Sequence, residues 1–289
     1  MKFFTVVENH AGTSFDSTKS VKRVDSSNRH FISEHGLSIL IETDTGKHVL
    51  FDTGASEMVF KENLDLLGFR PQDIDLVFIS HGHYDHLGGL NIMIEAGVPI
   101  YTHPKTFSGK KIALLHDGSK RDVSASEGTL TALSRANLQL SSTPIELVPG
   151  IRTSGEVPRL YPFESETRFY REEEGQLVPD NMVEEQALYV TTKKGTVLLT
   201  GCGHPGVINM VHQAKKSTGR PVYMVMGGFH LSATPANNDR ILKTMENLKN
   251  LNVERIAPMH CSGFTATKMF SDRFVNMDLM WAGSKVEIP

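Results

Sequence analysis

The chain has 289 residues and a net charge of −3, with 39% hydrophobic and 22% charged residues, a balance typical of a globular fold that offers no basic face to nucleic acid or to an anionic membrane. Cys202 and Cys261 are too few for a disulfide framework and point to a reducing compartment. No apolar run approaches membrane length, so the expected location is cytoplasmic.

In chain order, Met1 to Glu8 reads as a first strand without signal-peptide character. Asn9 to Arg29, rich in Ser, Thr, Asp and Lys, has no hydrophobic period and reads as a loop bordering a site or solvent. Leu37 to Ile41 and His48 to Phe51, joined by Thr43-Asp44-Thr45-Gly46-Lys47, form a hairpin by composition. Asp52 follows; it is either a cap or turn former, or the acceptor that holds a metal-binding histidine. Met58 to Leu67 has an apolar stripe at helical spacing and ends at Gly68, the pattern of an amphipathic helix with a glycine cap.

Ile74 to Ile79 reads as a buried strand delivering Ser80-His81-Gly82-His83-Tyr84-Asp85-His86. Neutral imidazole and carboxylate suit zinc, iron or manganese; His81 and His83 can face one ion while Asp85 and His86 turn to a second. A solvated polar loop is the plain alternative. Leu87 to Ala96 reads as a helix, clamping the histidine loop between strand and helix. Val98 to Tyr101 reads as an adjoining strand, with His103 at its end in a structural role.

From Lys105 to Asn181 the pattern weakens to short strands and loops covering a cleft. The Glu172-Glu173-Glu174 run reads as a solvated turn, and His116 as structural or substrate-facing. Ala187 to Thr192 and Thr196 to Thr200 form a hairpin that delivers Gly201-Cys202-Gly203-His204-Pro205-Gly206. Val222 to Met226 runs into Gly227-Gly228-Phe229-His230, and Val253 to Pro258 into Met259-His260-Cys261-Ser262-Gly263. Between them Pro235 to Leu251 is a helix with Thr234 as its cap. Strands that end repeatedly in histidine loops suit a layered α/β architecture with those ends at one edge. Length favours one large domain, residues 1–289, with a loop-rich insertion at about 105–185 over the site.

His81, His83, Asp85 and His86 match, residue by residue, the His-x-His-x-Asp-His signature of the metallo-β-lactamase superfamily, which essentially the whole chain resembles. Phe51-Asp52-Thr53-Gly54 looks like that family's early strand segment, Leu199 to Cys202 like the strand with its bridging acidic residue, and Ile256 to His260 like its final histidine motif. Glu34-His35-Gly36-Leu37-Ser38, Gly201 to Gly206, Gly227 to His230 and His260 to Gly263 resemble the branch that includes dihydropterin-type synthases and metal-dependent hydrolases. The resemblance implies an αββα sandwich, two mixed β-sheets flanked by helices, with a binuclear site at one edge. It implies two divalent transition-metal ions, zinc first with iron or manganese as alternatives, held by His81, His83, Asp85, His86, Cys202, His204 and His260. The family's usual further histidine is missing from Val148 to Glu156, which makes His204 its substitute. Cys202 stands where most relatives carry the bridging Asp; a thiolate there would ligate, whereas a buried thiol would only pack.

The implied chemistry is hydrolysis by a metal-activated water, with Asp85 orienting the nucleophile and His230 contacting substrate or moving a proton. The expected partner is a small molecule, anionic by preference, because the glycine loops at 201–206 and 227–228 offer backbone N–H groups. Neither nucleic acid nor membrane is expected; a homo-oligomer stays open. Three alternatives remain: a dihydropterin-type synthase releasing diphosphate, a lactonase-like hydrolase, and a metal-binding protein without turnover.

Overall fold

The computed structural model describes residues 1–12, 20–26, 28–115, 117–231 and 238–289. The expectations for His116, Thr234 and Pro235 fall outside them.

The architecture follows from the alternation of its strands. In Ser38–Glu42 and His48–Phe51, Ile39, Ile41, Val49 and Phe51 belong to one buried cluster, and Leu40 and Leu50 to another on the opposite face. Side chains alternate across a strand, so a strand apolar on both faces requires a layer on each side. One layer is a second sheet: Ile39, Phe51 and Phe78 pack with Leu188, Val197, Leu199, Met224 and Met226 in a cluster that joins the two sheets. Each fully buried side chain of this kind contributes roughly 1.5–3 kcal/mol. Helices cover the outer faces. Glu57–Leu66 and Leu90–Glu95 lie on Leu40, Leu50 and Val77, while Val207–Thr218, Asn238–Asn250 and Phe264–Arg273 lie on Leu198, Val225 and Ile256.

Among the described residues the first sheet runs Val21–Arg23, Ser284–Glu287, Lys2–Val7, Ser38–Glu42, His48–Phe51, Leu76–Phe78, Ile100–Thr102, Leu138–Leu140. The second runs Glu146–Val148, Ile151–Thr153, Leu188–Thr192, Gly195–Thr200, Val222–Gly228, Arg255–Met259. His48–Phe51, Leu76–Phe78 and Ile100–Thr102 are parallel, as are Gly195–Thr200, Val222–Gly228 and Arg255–Met259. Parallel strands end at the same edge, where α/β sheets characteristically place ligands. Asp52, the 80–86 loop, the 201–206 loop, His230 and His260 thereby come within reach of one another.

The expected hairpins and the Glu57–Leu66 helix are present, the latter capped by Ser56 and closed at Gly68, whose N–H donates to the Asp65 carbonyl at 2.9 Å. Other elements differ. The segment expected to be loop from Asn9 to Arg29 contributes Val21–Arg23 to the sheet edge. The helix expected from Leu87 starts at Leu90, after a tight turn at Tyr84–His86. The helices Glu127–Ala132, Val207–Thr218 and Phe264–Arg273 were not anticipated. Within 105–185, Leu138–Leu140 and Glu146–Thr153 enter the two large sheets. Lys111–Leu114, Lys120–Asp122, Phe169–Glu173 and Gln176–Pro179 build a separate four-stranded antiparallel sheet.

Candidate metal centre

The centre is assembled around Asp52. Its carboxylate is fully buried and accepts from the Ser80 N–H at 2.7 Å, the Ser80 hydroxyl at 2.7 Å and His86 Nδ1 at 2.6 Å. Its φ of +58° is unusual for a non-glycine residue and turns the chain at the strand end; His230 at +45° and His260 at +50° share that strain. Of its two expected roles, the structure therefore assigns Asp52 that of histidine acceptor. Because the Ser80 hydroxyl donates to Asp52, its oxygen receives the Nδ1–H of His81 at 2.9 Å, leaving His81 Nε2 with its lone pair. His86 Nδ1 is likewise committed, which directs His86 Nε2 to the Cys202 sulfur at 3.2 Å. Gly82 separates the first two histidines because a Cβ there would strike the Thr106 carbonyl.

The loop after Gly195–Thr200 is held by Glu185, a residue with no motif to mark it. Its buried carboxyl accepts backbone N–H groups from Cys202 at 2.9 Å, Gly203 at 2.6 Å and His204 at 2.6 Å; burial outweighs these bonds and raises it to about 7. His204 Nε2 then lies 3.3 Å from His83 Nδ1. From the far side, the N–H of His260 donates to Glu8 at 2.8 Å and its Nδ1 to Asn9 at 3.1 Å, while its Nε2 sits 3.3 Å from Asp85. His35 Nε2 approaches the same Asp85 oxygen at 3.2 Å.

One ligand atom from each of His81, His83 and His204 lies within 4.8 Å of the others, and so do those of His81, His86 and Cys202, those of His35, Asp85 and His260, and those of Cys202, His260 and Cys261. Cys202 is thus shared between the two sides of the cluster. His81 Nε2, His83 Nε2, His204 Nδ1 and His260 Nε2 are buried and lack a hydrogen-bond partner. An orphaned buried polar atom costs about 1–3 kcal/mol, so three on the grouped His81, His83 and His204, with a fourth on His260 beside Asp85, suit cations rather than a packed core. Burial, reinforced by neighbouring imidazoles, pushes His81 and His204 well below their ordinary value, which keeps them neutral and able to ligate. Burial alone would raise Asp85, but the imidazoles of His260 and His35 against it carry it well below the carboxylate range. Burial, with the Cys261 sulfur beside it, raises the Cys202 thiol without a cation. The donor set, five buried imidazoles with a carboxylate and a thiol, fits zinc-type ions.

Each of the seven residues expected as ligands falls in at least one of these overlapping groups. His230 stands beside them, its ring 4.4 Å from that of His204, with Nδ1 3.0 Å from Glu166. Burial opposes ionisation of Glu166, yet the bonds from His230 and Arg168 hold it far below its ordinary value, so it stays anionic. His103 pairs instead with Glu156 at 3.1 Å, away from the cluster. A cavity of about 200 Å³ opens onto the centre, walled by Phe169, Tyr84, Arg121, Arg168 and His230. Phe169 caps the histidines, 5.1 Å from the ring of His83 and 4.6 Å from that of His204. His35, Glu166, Glu185, Tyr84 and Arg121 escaped sequence reasoning as site residues. His35 carried a signal in the Glu34-His35-Gly36 segment and Tyr84 in its place within the 80–86 stretch.

A family model described as the metallo-β-lactamase superfamily matches residues 34–260. The chain is 36% identical over 292 residues to the 7,8-dihydropterin-6-methyl-4-(β-D-ribofuranosyl)-aminobenzene-5'-phosphate synthase of Methanocaldococcus jannaschii, covering 95% of this chain and 92% of that one. The crystal structure of Tm1679, a metal-dependent hydrolase of the β-lactamase superfamily, superposes with a TM-score of 0.80 at 28% identity, over 100% of this chain and 99% of that one. Zn(2+)-bound PqqB from Methylobacterium extorquens shares the fold, with a TM-score of 0.57 at 12% identity over the whole of both chains.

Proposed function

Because the chain belongs to the metallo-β-lactamase superfamily, we propose that it is a metal-dependent hydrolase of a small anionic substrate. In this reading His81, His83 and His204 hold one divalent ion and Asp85, His86 and His260 a second, with Cys202 between them; zinc is the first choice, then iron or manganese. The observation that carries it is that buried ring nitrogens of His81, His83, His204 and His260 lack partners while their residues fall in overlapping groups of potential ligands. Such ions, when bound, supply Lewis acidity and bring the pKa of water towards neutrality. The chain's own groups do the rest. Asp52, Ser80 and Glu185 hold the donors in place before substrate arrives. His230, oriented through Nδ1 by Glu166, exchanges a proton with the leaving group through its other nitrogen. Phe169, on the four-stranded sheet, shields the cluster from bulk water.

A second reading is favoured by the 36% identity to the archaeal synthase: diphosphate departs as the leaving group, and the fragment it was bonded to passes to a second substrate instead of to water. Elemental analysis of protein purified without chelator should find about two ions per chain, since the candidate ligands exceed the four that one zinc takes; a ratio held at one after reconstitution refutes the binuclear centre. A screen of phosphoesters, lactones and thioesters in ¹⁸O-water then separates the reactions. Label in the product supports hydrolysis, whereas turnover only with an added acceptor, and no label, supports transfer.

A further inference from the structure

The cation at the mouth of the cavity is unusual in its pairing. Across the four-stranded sheet Phe169 opposes Ala113 and Ala113 opposes Arg121, and directly opposed residues of an antiparallel ladder share a face. Phe169 covers the rings of His83 and His204, so this row is turned towards the metal-ligand cluster, and Arg121 lines the same cavity. The guanidinium of Arg121 sits 5.2 Å over the ring of Tyr84 and donates from Nη2 to the Tyr84 hydroxyl at 2.5 Å. Tyr84 itself lies between His83 and Asp85 in the ligand loop. The other guanidinium in the cavity, that of Arg168, is engaged by Glu166 at 3.2 Å. Arg121 has no carboxylate within ion-pairing distance among the described residues; its polar and ring contacts are those with Tyr84.

Arg121 is exposed at the cavity mouth and carries no counter-charge there, so its guanidinium is free to take an anion that reaches towards the cluster. Arg121 has five donors in a fork suited to phosphate or carboxylate, and Tyr84 uses one of them. We infer that Arg121, steadied by Tyr84, is a second substrate anchor. It takes an anionic group at the end of the molecule remote from the reacting group, so the substrate class is a small molecule with two separated anionic ends, phosphate foremost. This rests on the proposed metal centre and adds to it a specificity-determining residue and a substrate shape.

The test uses the metal-loaded full chain and isothermal titration with inorganic phosphate and with α,ω-alkane bisphosphates of increasing length. One length should bind at least about tenfold more tightly than phosphate, the effect of one added charge-assisted contact. Arg121→Ala should bring that bisphosphate down to the phosphate level while leaving phosphate itself within about twofold. Arg121→Lys should restore part of the gain, since it keeps the charge without the fork. Arg121→Ala binding every bisphosphate as wild type does, at equal metal content, overturns the inference and leaves the metal centre standing. Wild-type protein with both metals that binds neither phosphate nor any bisphosphate overturns the anionic-substrate reading, and this inference with it.

Discussion

Replacing Asp52 by Asn tests whether the centre is organised from behind its ligands. The carboxylate serves three donors, Ser80 N–H and O–H at 2.7 Å and His86 Nδ1 at 2.6 Å. An amide has one oxygen and two N–H groups, so at least one of those donors meets another donor. The Ser80 hydroxyl can rotate, but His86 can adapt only by moving its proton from Nδ1 to Nε2, the nitrogen needed for ligation. Losing such an outer partner lowers metal affinity about 10- to 100-fold, or roughly 1.4–2.7 kcal/mol. The metal-free protein loses a further ~1–3 kcal/mol for a buried donor left unpaired. Burial would lower His86, but Asp52 wins and raises it to about 9 from 6.5. A histidine raised in the folded state stabilises fully below its unfolded value and loses that contribution as pH climbs through the folded one. Metal-free wild type should therefore lose stability between pH 6.5 and about 9, and Asp52→Asn should show a flatter profile. Chelator competition measures the first effect and thermal unfolding across that window the second. Unchanged chelator midpoints together with parallel stability profiles would refute the reasoning.

Asp85→Asn should abolish most turnover while circular dichroism stays native, because the side chain contributes charge at the centre rather than core packing; unaltered turnover at full metal content removes Asp85 from the mechanism. Cys202→Ser should weaken binding of one metal, seen as one early step in a chelator titration, since a hydroxyl replaces thiolate poorly. Two unaltered steps, with stability changed by about 1 kcal/mol, would mean that the thiol only packs. Glu166 is held below its ordinary 4.5 by His230 and Arg168 against the opposing effect of burial. Its contribution is present above pH 4.5 and lost as pH falls, so wild type should lose Tm on acidification more steeply than Glu166→Gln; superimposable curves would contradict this.

Much of the centre is legible in the linear sequence because local spacing makes it so. Leu76–Phe78 is a buried strand, Gly82 alone fits against the Thr106 carbonyl, and a tight turn at Tyr84–His86 follows. Three imidazoles and a carboxylate thereby lie close together in one short loop. The glycine-flanked loops with Cys202, His204, His230 and His260 are recognisable for the same reason: each follows an apolar strand. Other features have no local signal. Glu185 orders the Cys202–His204 loop only because the strands Leu188–Thr192 and Gly195–Thr200 pair as a hairpin beside it. Glu166 reaches His230 across 64 residues, and Asp52 chooses between a turn and a histidine acceptor only when the parallel pairing of Phe51 with Phe78 brings His86 to it. Arg121 faces the centre because of its register opposite Ala113 in a sheet too short and too polar to read from periodicity. Candidate ligands are a local property of residue type and spacing, whereas the groups that would orient them and that close the cavity depend on pairings between distant segments, which only tertiary packing decides.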